Sequence, residues 1–310
     1  MRVLVTGGAG FIGSHAVTAL IERGDEVVVL DNFDPYYDPQ LKRANLNPSA
    51  RLVEGDLRDG AAVARSLKGV DAVLHLAARA GVRRSIAEPA VYVDNNVTGL
   101  QSLLDGMRHA GVGRLVYASS SSVYGARSDG PFHEDDSLRR PESPYAATKA
   151  AGELLAHSAS RTAGLQVTCC RLFTVYGPRQ RPEMAIHLFA RRALGGMVIP
   201  RFGGGLSRRD YTFVGDIVAG LLASLDRPVP WRVVNLGSGA PVTLNHLLSS
   251  IERAFDVTLD IQQHPDQPGD VPSTWADTSR ARTELDWEPQ VSLDEGLARF
   301  RDWLAGEAPR

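Results

Sequence analysis

Cysteine is almost absent from this chain of 310 residues: only Cys169 and Cys170 occur, side by side. Neighbours on an extended strand point to opposite faces, so the two neither pair comfortably nor share a metal. A disulfide framework is excluded, and the scarcity fits a reducing compartment. No sign of charge is in excess, because 34 Lys and Arg against 36 Asp and Glu leave a formal net charge of −2. No overall field therefore draws the chain to nucleic acid or to an anionic membrane, and any anionic ligand must be held by local groups. A nucleic-acid module is also disfavoured by the lack of a basic patch interleaved with aromatics. No apolar run approaches bilayer length. The opening Met-Arg-Val-Leu-Val-Thr reads as a strand, without the charged and then apolar regions of a leader, so a cytoplasmic protein with no membrane partner is expected. The eight histidines are scattered, with no His-x-x-x-His pair and no Cys–His cluster, so no metal site is expected.

What the chain does have is 43% hydrophobic residues, enough for a sizeable core. Short Val-, Leu- and Ile-rich runs at 3–6, 27–31, 52–54, 73–77, 115–118 and 167–173 read as strands buried on both faces. Amphipathic stretches at 12–23, 91–109 and 144–160 read as helices between them. Repeated strand–helix alternation predicts an α/β fold with a doubly wound parallel sheet. After Phe173 the rhythm breaks. Helices are expected at 183–194, 217–225, 244–255 and 293–304, with a Pro-, Gln- and Asp-rich loop at 262–272. The expected organisation is a dinucleotide-binding domain over 1–173, to which 210–236 returns, and a smaller α/β substrate domain over 174–310.

The most informative stretch is Val3-Leu-Val-Thr-Gly7-Gly8-Ala9-Gly10-Phe11-Ile12-Gly13, a strand running into a glycine turn and then a helix. Gly7 and Gly10 let the backbone approach a pyrophosphate, and Gly13 lets helix and strand pack closely. The Gly-x-Gly-x-x-Gly spacing alone is weak, but a strand before it and a helix after it are the context that confirms it. The next strand ends in Asp31, placed to accept hydrogen bonds from an adenosine ribose. A carboxylate there repels a 2′-phosphate, which selects NAD over NADP. Asp56, after the third strand, suits either an adenine amino group or a loop cap.

Chemistry is carried by Tyr145-Ala-Ala-Thr-Lys149. Residues four apart on a helix share a face, so the Lys149 ammonium is expected to stand beside the Tyr145 phenol and lower its pKa toward working pH. Such a tyrosine removes a hydroxyl proton as hydride leaves the same carbon. The strand at 115–118 runs into Ser119-Ser120-Ser121-Ser122, hydroxyls at the end of a parallel strand where ligands bind.

With these motifs in place the chain resembles the extended short-chain dehydrogenases, in the NAD-dependent epimerase/dehydratase family, over nearly its whole length. Within that family it is most similar to the UDP-glucuronate 4-epimerases. The carrying segments are Asp31-Asn-Phe-Asp-Pro-Tyr-Tyr-Asp-Pro-Gln-Leu-Lys-Arg43, Ser-Ser-Ser-Ser-Val-Tyr-Gly, and Arg171-Leu-Phe-Thr-Val-Tyr-Gly-Pro-Arg-Gln-Arg-Pro-Glu-Met-Ala185. The resemblance implies a catalytic triad of Ser120, Tyr145 and Lys149. It implies NAD contacts at Gly7, Gly10, Phe11, Ile12, Gly13, Asp31, Asn32, Asp56, Leu57, Leu76, Ala77, Ala78 and Asn96, with Tyr145 and Lys149. For a UDP-sugar substrate it implies Thr174, a uracil cradle including Pro200 and Phe202, Arg209 and Asp270. Gln267 stands where many hexose epimerases carry a phosphate-binding arginine, which weakens a UDP-glucose reading. Arg79, Arg83 and Arg84 read either as anion contacts or, in preference, as solvated loop charges. The resemblance also implies a homodimer, paired through the helices at 91–109 and 144–160.

Three reactions compete within this resemblance. A 4,6-dehydratase needs carboxyl groups just before Val-Tyr-Gly, and a UDP-glucuronate decarboxylase normally has a glutamate there; Ser121 and Ser122 stand instead. Epimerisation through a 4-keto sugar is left, with UDP-glucose as an alternative substrate and a non-catalytic nucleotide sensor as an alternative of another class. A 4-keto uronate loses CO₂ easily, so its carboxylate must be held; Ser121, Ser122, Thr174 and Arg181 are expected to hold it through hydroxyl bonds and a guanidinium fork.

Overall fold

The computed structural model describes residues 1–127, 130–138, 140–265 and 271–307. Its centre is a sheet of β1 (Arg2–Thr6), β2 (Glu26–Asp31), β3 (Arg51–Glu54), β4 (Ala72–His75), β5 (Arg114–Ser120), β6 (Gln166–Leu172) and β7 (Trp231–Leu236). The strands lie in the order β7-β6-β5-β4-β1-β2-β3, and every pairing is parallel. Successive residues enter opposite cores: Val3, Val5, Val27 and Val29 join one apolar cluster, and Leu4, Val28 and Leu30 the other. Helices cover both faces, which is why these strands carry few polar positions. Cys169 and Cys170 follow the same alternation, each buried and free in a different cluster.

The chain runs outward from β1 through β2 to β3, then returns to lay β4 on the other side of β1. That reversal opens a crevice at the carboxyl ends of β1 and β4, where ligands bind in sheets of this kind.

Two helices position the site. Pro144–Ala163 starts where the Ser143 hydroxyl accepts the Ala146 N–H at 3.2 Å and Pro144 occupies the first turn; Gly164, at φ 69°, stops it. The helix expected over 91–109 begins at Pro89–Val93, passes through a π-turn at Asp94–Thr98 and continues as Gly99–Ala110. A π-turn inserts a residue and rotates the side chains that follow.

Beyond β6 the chain forms short strand pairs. Thr174–Tyr176 lies parallel to Tyr211–Phe213, and Ile199–Phe202 parallel to Ile261–His264. Helices Ala185–Leu194, Leu244–Phe255 and Leu293–Glu307 pack here, and one apolar cluster runs unbroken from Val3 and Val29 to Leu247, Ile251 and Phe300. Among the described residues no helix is long and apolar enough to cross a membrane.

Candidate active site

A cleft of about 400 Å³ lies at the ends of β1, β4 and β5. Its floor is the glycine turn. Gly7 sits at φ 69°, and a Cβ on it would lie 2.8 Å from the Ala77 backbone; a Cβ on Gly13 would collide with the Gly7 carbonyl. Only glycine fits at either position. At the end of β2, Asp31 is buried and accepts the Ala9 N–H at 3.1 Å and the Phe33 N–H at 2.9 Å. It thus braces the turn while lining the cleft. Burial raises its pKa, against the pull of those two N–H groups. Asp56 accepts from Arg58 and from Asn32 Nδ2 at 2.9 Å, and Arg58 holds its carboxyl well below the usual range.

Ser120 ends β5, and Tyr145 and Lys149 face it from the helix behind; all three line the cleft. The Ser120 hydroxyl accepts the Ser122 N–H at 3.2 Å and lies 3.0 Å from the Ser122 hydroxyl. Lys149 Nζ donates to the Ala118 carbonyl at 2.7 Å and stands 5.0 Å from the centre of the Tyr117 ring. The expectation that Lys149 acidifies Tyr145 needs correction. Burial raises the phenol's pKa, and the groups that lower it are the Ser120 hydroxyl, by a hydrogen bond, and the Arg181 guanidinium. Lys149 points its charge at a carbonyl instead, and burial lowers its own pKa to about 8.

Ser121, Ser122, Thr174 and Arg181 line the same end of the cleft. Arg181 is no surface charge: its side chain is 20% exposed and pairs with Glu183 at 2.8 Å. Arg79 was expected in solvent and is 15% exposed, paired with Asp34 at 3.1 Å. Arg84 does pair with Glu88 at the surface, but it also lies over the Tyr36 ring, as Arg79 and Arg181 do.

Gly10, Phe11, Ile12, Asn32, Leu57, Leu76, Ala77 and Ala78 complete the lining on the dinucleotide side. Asn96 does not reach it. Its amide bonds both backbone groups of Arg79 and the Thr148 hydroxyl, while Asn95 takes the place on the wall. Pro200, Phe202 and Arg209 lie outside the cleft lining; Arg83 reaches over the Phe202 ring at 5.6 Å, and Arg209 donates to the Arg208 carbonyl at 2.9 Å. Asp270 and Gln267 lie outside the described residues.

Sequence reasoning missed Tyr36, Tyr37 and Lys42 as wall residues. The signal available in the sequence is the pair of tyrosines between two Asp-Pro steps, Asp34-Pro-Tyr-Tyr-Asp-Pro39. Lys42 Nζ donates to the Asp34 carbonyl at 2.7 Å and lies over the Tyr37 ring.

The profile of the NAD dependent epimerase/dehydratase family matches residues 3–237. A UDP-glucuronate 4-epimerase of Thermodesulfobacterium geofontis is 41% identical over 97% of this chain and 95% of its own. The crystal structure of a UDP-glucuronic acid 4-epimerase from Bacillus cereus, in complex with UDP-glucuronic acid and NAD, superposes with a TM-score of 0.93 at 35% identity, covering 99% of both chains. A double mutant of a dTDP-glucose 4,6-dehydratase from Streptomyces venezuelae superposes equally well, at 0.93 and 38% identity, over 99% of this chain and 98% of that one. Fold alone therefore does not choose the reaction, but the matched length and the identity do place the protein: it is an enzyme of the NAD-dependent epimerase/dehydratase family.

Proposed function

We propose that this enzyme inverts C4 of UDP-glucuronate to give UDP-galacturonate, and the reverse, with NAD held through the cycle. The observation that carries the choice of reaction is the chemistry lining the cleft. Its carboxylates among the described residues are Asp31, the last residue of β2, Asp34 just beyond it, and Asp56 after β3. Beside Tyr145 stand Ser121, Ser122, Thr174 and Arg181 instead. Eliminating water across two carbons needs an acid and a base beyond the tyrosine; among the described residues no carboxyl lines this end of the cleft, and the nearby Glu183 is paired with Arg181. The Thermodesulfobacterium and Bacillus relatives support the same reading by their names.

The residues fit NAD: a glycine turn with no room for a Cβ, a helix N-terminus behind it, and a buried acceptor at the end of β2. NAD, held by the glycine turn and Asp31, would supply a reversible hydride acceptor for C4 of the sugar. Tyr145 takes the C4 hydroxyl proton and returns it to the same oxygen once the sugar has turned over, so that hydride added to the other face of the ketone inverts C4. Ser120, bonded to the phenol, stabilises the charge that develops on it. Lys149 holds the ribose next to the reacting carbon. Ser121, Ser122, Thr174 and the Arg181 fork keep the C6 carboxylate in the plane where the C5–C6 bond cannot overlap the ketone. Pro200, Phe202, Arg209 and Asp270 are assigned to the uridine, residues 1–173 with 210–236 to the dinucleotide, and 174–310 mainly to the sugar nucleotide.

A cytoplasmic homodimer belongs to the same proposal. Two buried free cysteines suit a reducing compartment. Leu154, on the helix that carries Tyr145, is 72% exposed and is suited to packing against a partner.

Incubation with UDP-glucuronate, followed by proton NMR, tests the reading. UDP-galacturonate should accumulate to an equilibrium mixture without loss of CO₂. A decarboxylated or dehydrated product, or no turnover by NAD-loaded protein, would overturn it.

A further inference from the structure

Behind the reacting hydroxyls lies an ion pair that the reaction does not use directly. Glu153 stands one turn beyond Lys149 on the same helix. Arg171 of β6 donates Nε to Glu153 Oε1 at 2.9 Å and Nη2 to Oε2 at 2.8 Å, with the two side chains 4% and 5% exposed. Oε1 also accepts the Ser119 hydroxyl at 2.5 Å. Arg171 Nη1 donates to the Tyr124 hydroxyl at 3.0 Å and to the Glu134 carbonyl at 2.9 Å. One carboxylate thus joins the helix of Tyr145 and Lys149, the end of β5, the turn Ser121–Tyr124 and the strand that runs on into Thr174. Buried ion pairs are poor sources of stability, since desolvation offsets their attraction. The placement of this one calls for another reason.

We propose that Glu153, oriented by Arg171, is a positioning residue for the reaction: it keeps Lys149 in its charged form and holds the serine turn at 119–122 against Tyr145. The proposal rests on the roles assigned above to Tyr145 and Lys149.

The surroundings of Lys149 explain why a carboxylate is needed there. Burial is the largest influence on its pKa and lowers it to about 8; Glu153 is the first of the groups that oppose this, followed by Cys169. The ionisable groups around it are Tyr145 and Glu153 on its own helix, His75 on β4, Tyr117 on β5 and Cys169 on β6. His75 is neutral, its pKa pushed down to about 3, and burial keeps the Tyr117 phenol and the Cys169 thiol protonated. From the neighbouring helical segment Pro89–Val93, Tyr92 sets its ring edge against Tyr145. Glu153 is therefore the group in this set that carries negative charge. Lys149 is an ammonium below its folded pKa and loses its proton as pH rises through it. Removing the Glu153 charge moves that loss to lower pH.

The test uses the NAD-loaded enzyme, Glu153→Gln, Ser119→Ala and the double variant Glu153→Gln with Arg171→Met, which leaves no ion unpaired. Two quantities are read: the pH profile of kcat/KM for the sugar nucleotide, and the titration of Lys149 Nζ by nitrogen-15 NMR. The titration requires no turnover. In both variants lacking Glu153, the Lys149 titration should fall by about one pH unit, with the alkaline limb of the rate following it and kcat/KM at pH 8 dropping roughly fivefold. Ser119→Ala should leave the titration in place and lower kcat several-fold with KM unchanged. Should Lys149 titrate at the wild-type pH in the Glu153 variants, the proposal is wrong and the pair is structural. Absence of UDP-glucuronate turnover by the wild type would instead strike the functional reading, with the NMR titration still deciding this one.

Discussion

At Tyr145 opposing influences meet. Burial favours the neutral phenol, while Ser120 and Arg181 favour the phenolate. Arg181 therefore has two tasks in the proposed reaction, one toward the tyrosine and one toward the uronate, and substitutions separate them. Tyr145→Phe removes the proton acceptor and should lower kcat by about 10²- to 10⁴-fold on any sugar nucleotide, with NAD still bound. Arg181→Ala should cost roughly 10- to 100-fold in kcat/KM on UDP-glucuronate, the range for hydrogen bonds to a charged group. On UDP-glucose, which offers no carboxylate, its effect should be limited to the phenol and be several-fold smaller. Steady-state kinetics with both substrates checks this; an equal loss on both would remove the carboxylate role from Arg181.

At the scale of elements, the loop that carries Arg181 is held from two sides. Pro178 and Gln180 offer carbonyls, so the facing ring nitrogens must donate: His15 Nε2 at 2.8 Å from the helix after the glycine turn, and His187 Nδ1 at 2.6 Å from Ala185–Leu194. Burial keeps His15 neutral, with its pKa lowered from 6.5 to about 4. An unfolded histidine takes a proton near 6.5. The unfolded chain therefore binds more protons between these values, and stability present above pH 6.5 is lost as pH falls toward 4. His15→Gln, which keeps an N–H donor, should flatten that loss by on the order of 2 kcal/mol, read as the difference in melting temperature between pH 7 and pH 4.5 by calorimetry. A variant whose melting temperature falls as steeply as the wild type's would show that His15 contributes nothing. None of this clasp was legible in the sequence, because a histidine on an amphipathic helix does not announce a carbonyl more than a hundred residues away. The strands were legible, because a two-sided sheet demands apolar runs, and helix Leu244–Phe255 was read to its ends because its apolar face is so regular. The π-turn at Asp94–Thr98 leaves no mark in the residues; Asn96 came only from the resemblance, and Asn95 is the one that lines the cleft. The segment 33–43 read only as a resemblance, since its contact with Arg79 is an ionic pairing between distant loops.

Over the whole molecule, the helix Pro144–Ala163 faces two ways. Lys149, Glu153 and Ala156 point inward and are buried; Ala147, Leu154 and Ser158 point outward and are exposed. Leu154, 72% exposed among small residues, is the large apolar side chain on the outward face of this helix. Small residues flanking a large one let a second helix approach closely, as in ridge-and-groove packing. The net charge of −2 raises little repulsion between copies. In the proposed dimer, Leu154 lies at the centre of the contact, where truncation or charge has its largest effect. Leu154→Glu would bury two carboxylates at the two-fold axis and should convert a micromolar solution from dimer to monomer, with an increase in dissociation constant of at least about 100-fold. Sedimentation velocity across a dilution series reads this directly. Because Leu154 points away from the cleft, the monomeric variant should keep its NAD, so loss of cofactor would reveal misfolding rather than dissociation. A wild type that sediments as a monomer at micromolar concentration, or a variant that stays dimeric, would place the pairing surface elsewhere or abolish it.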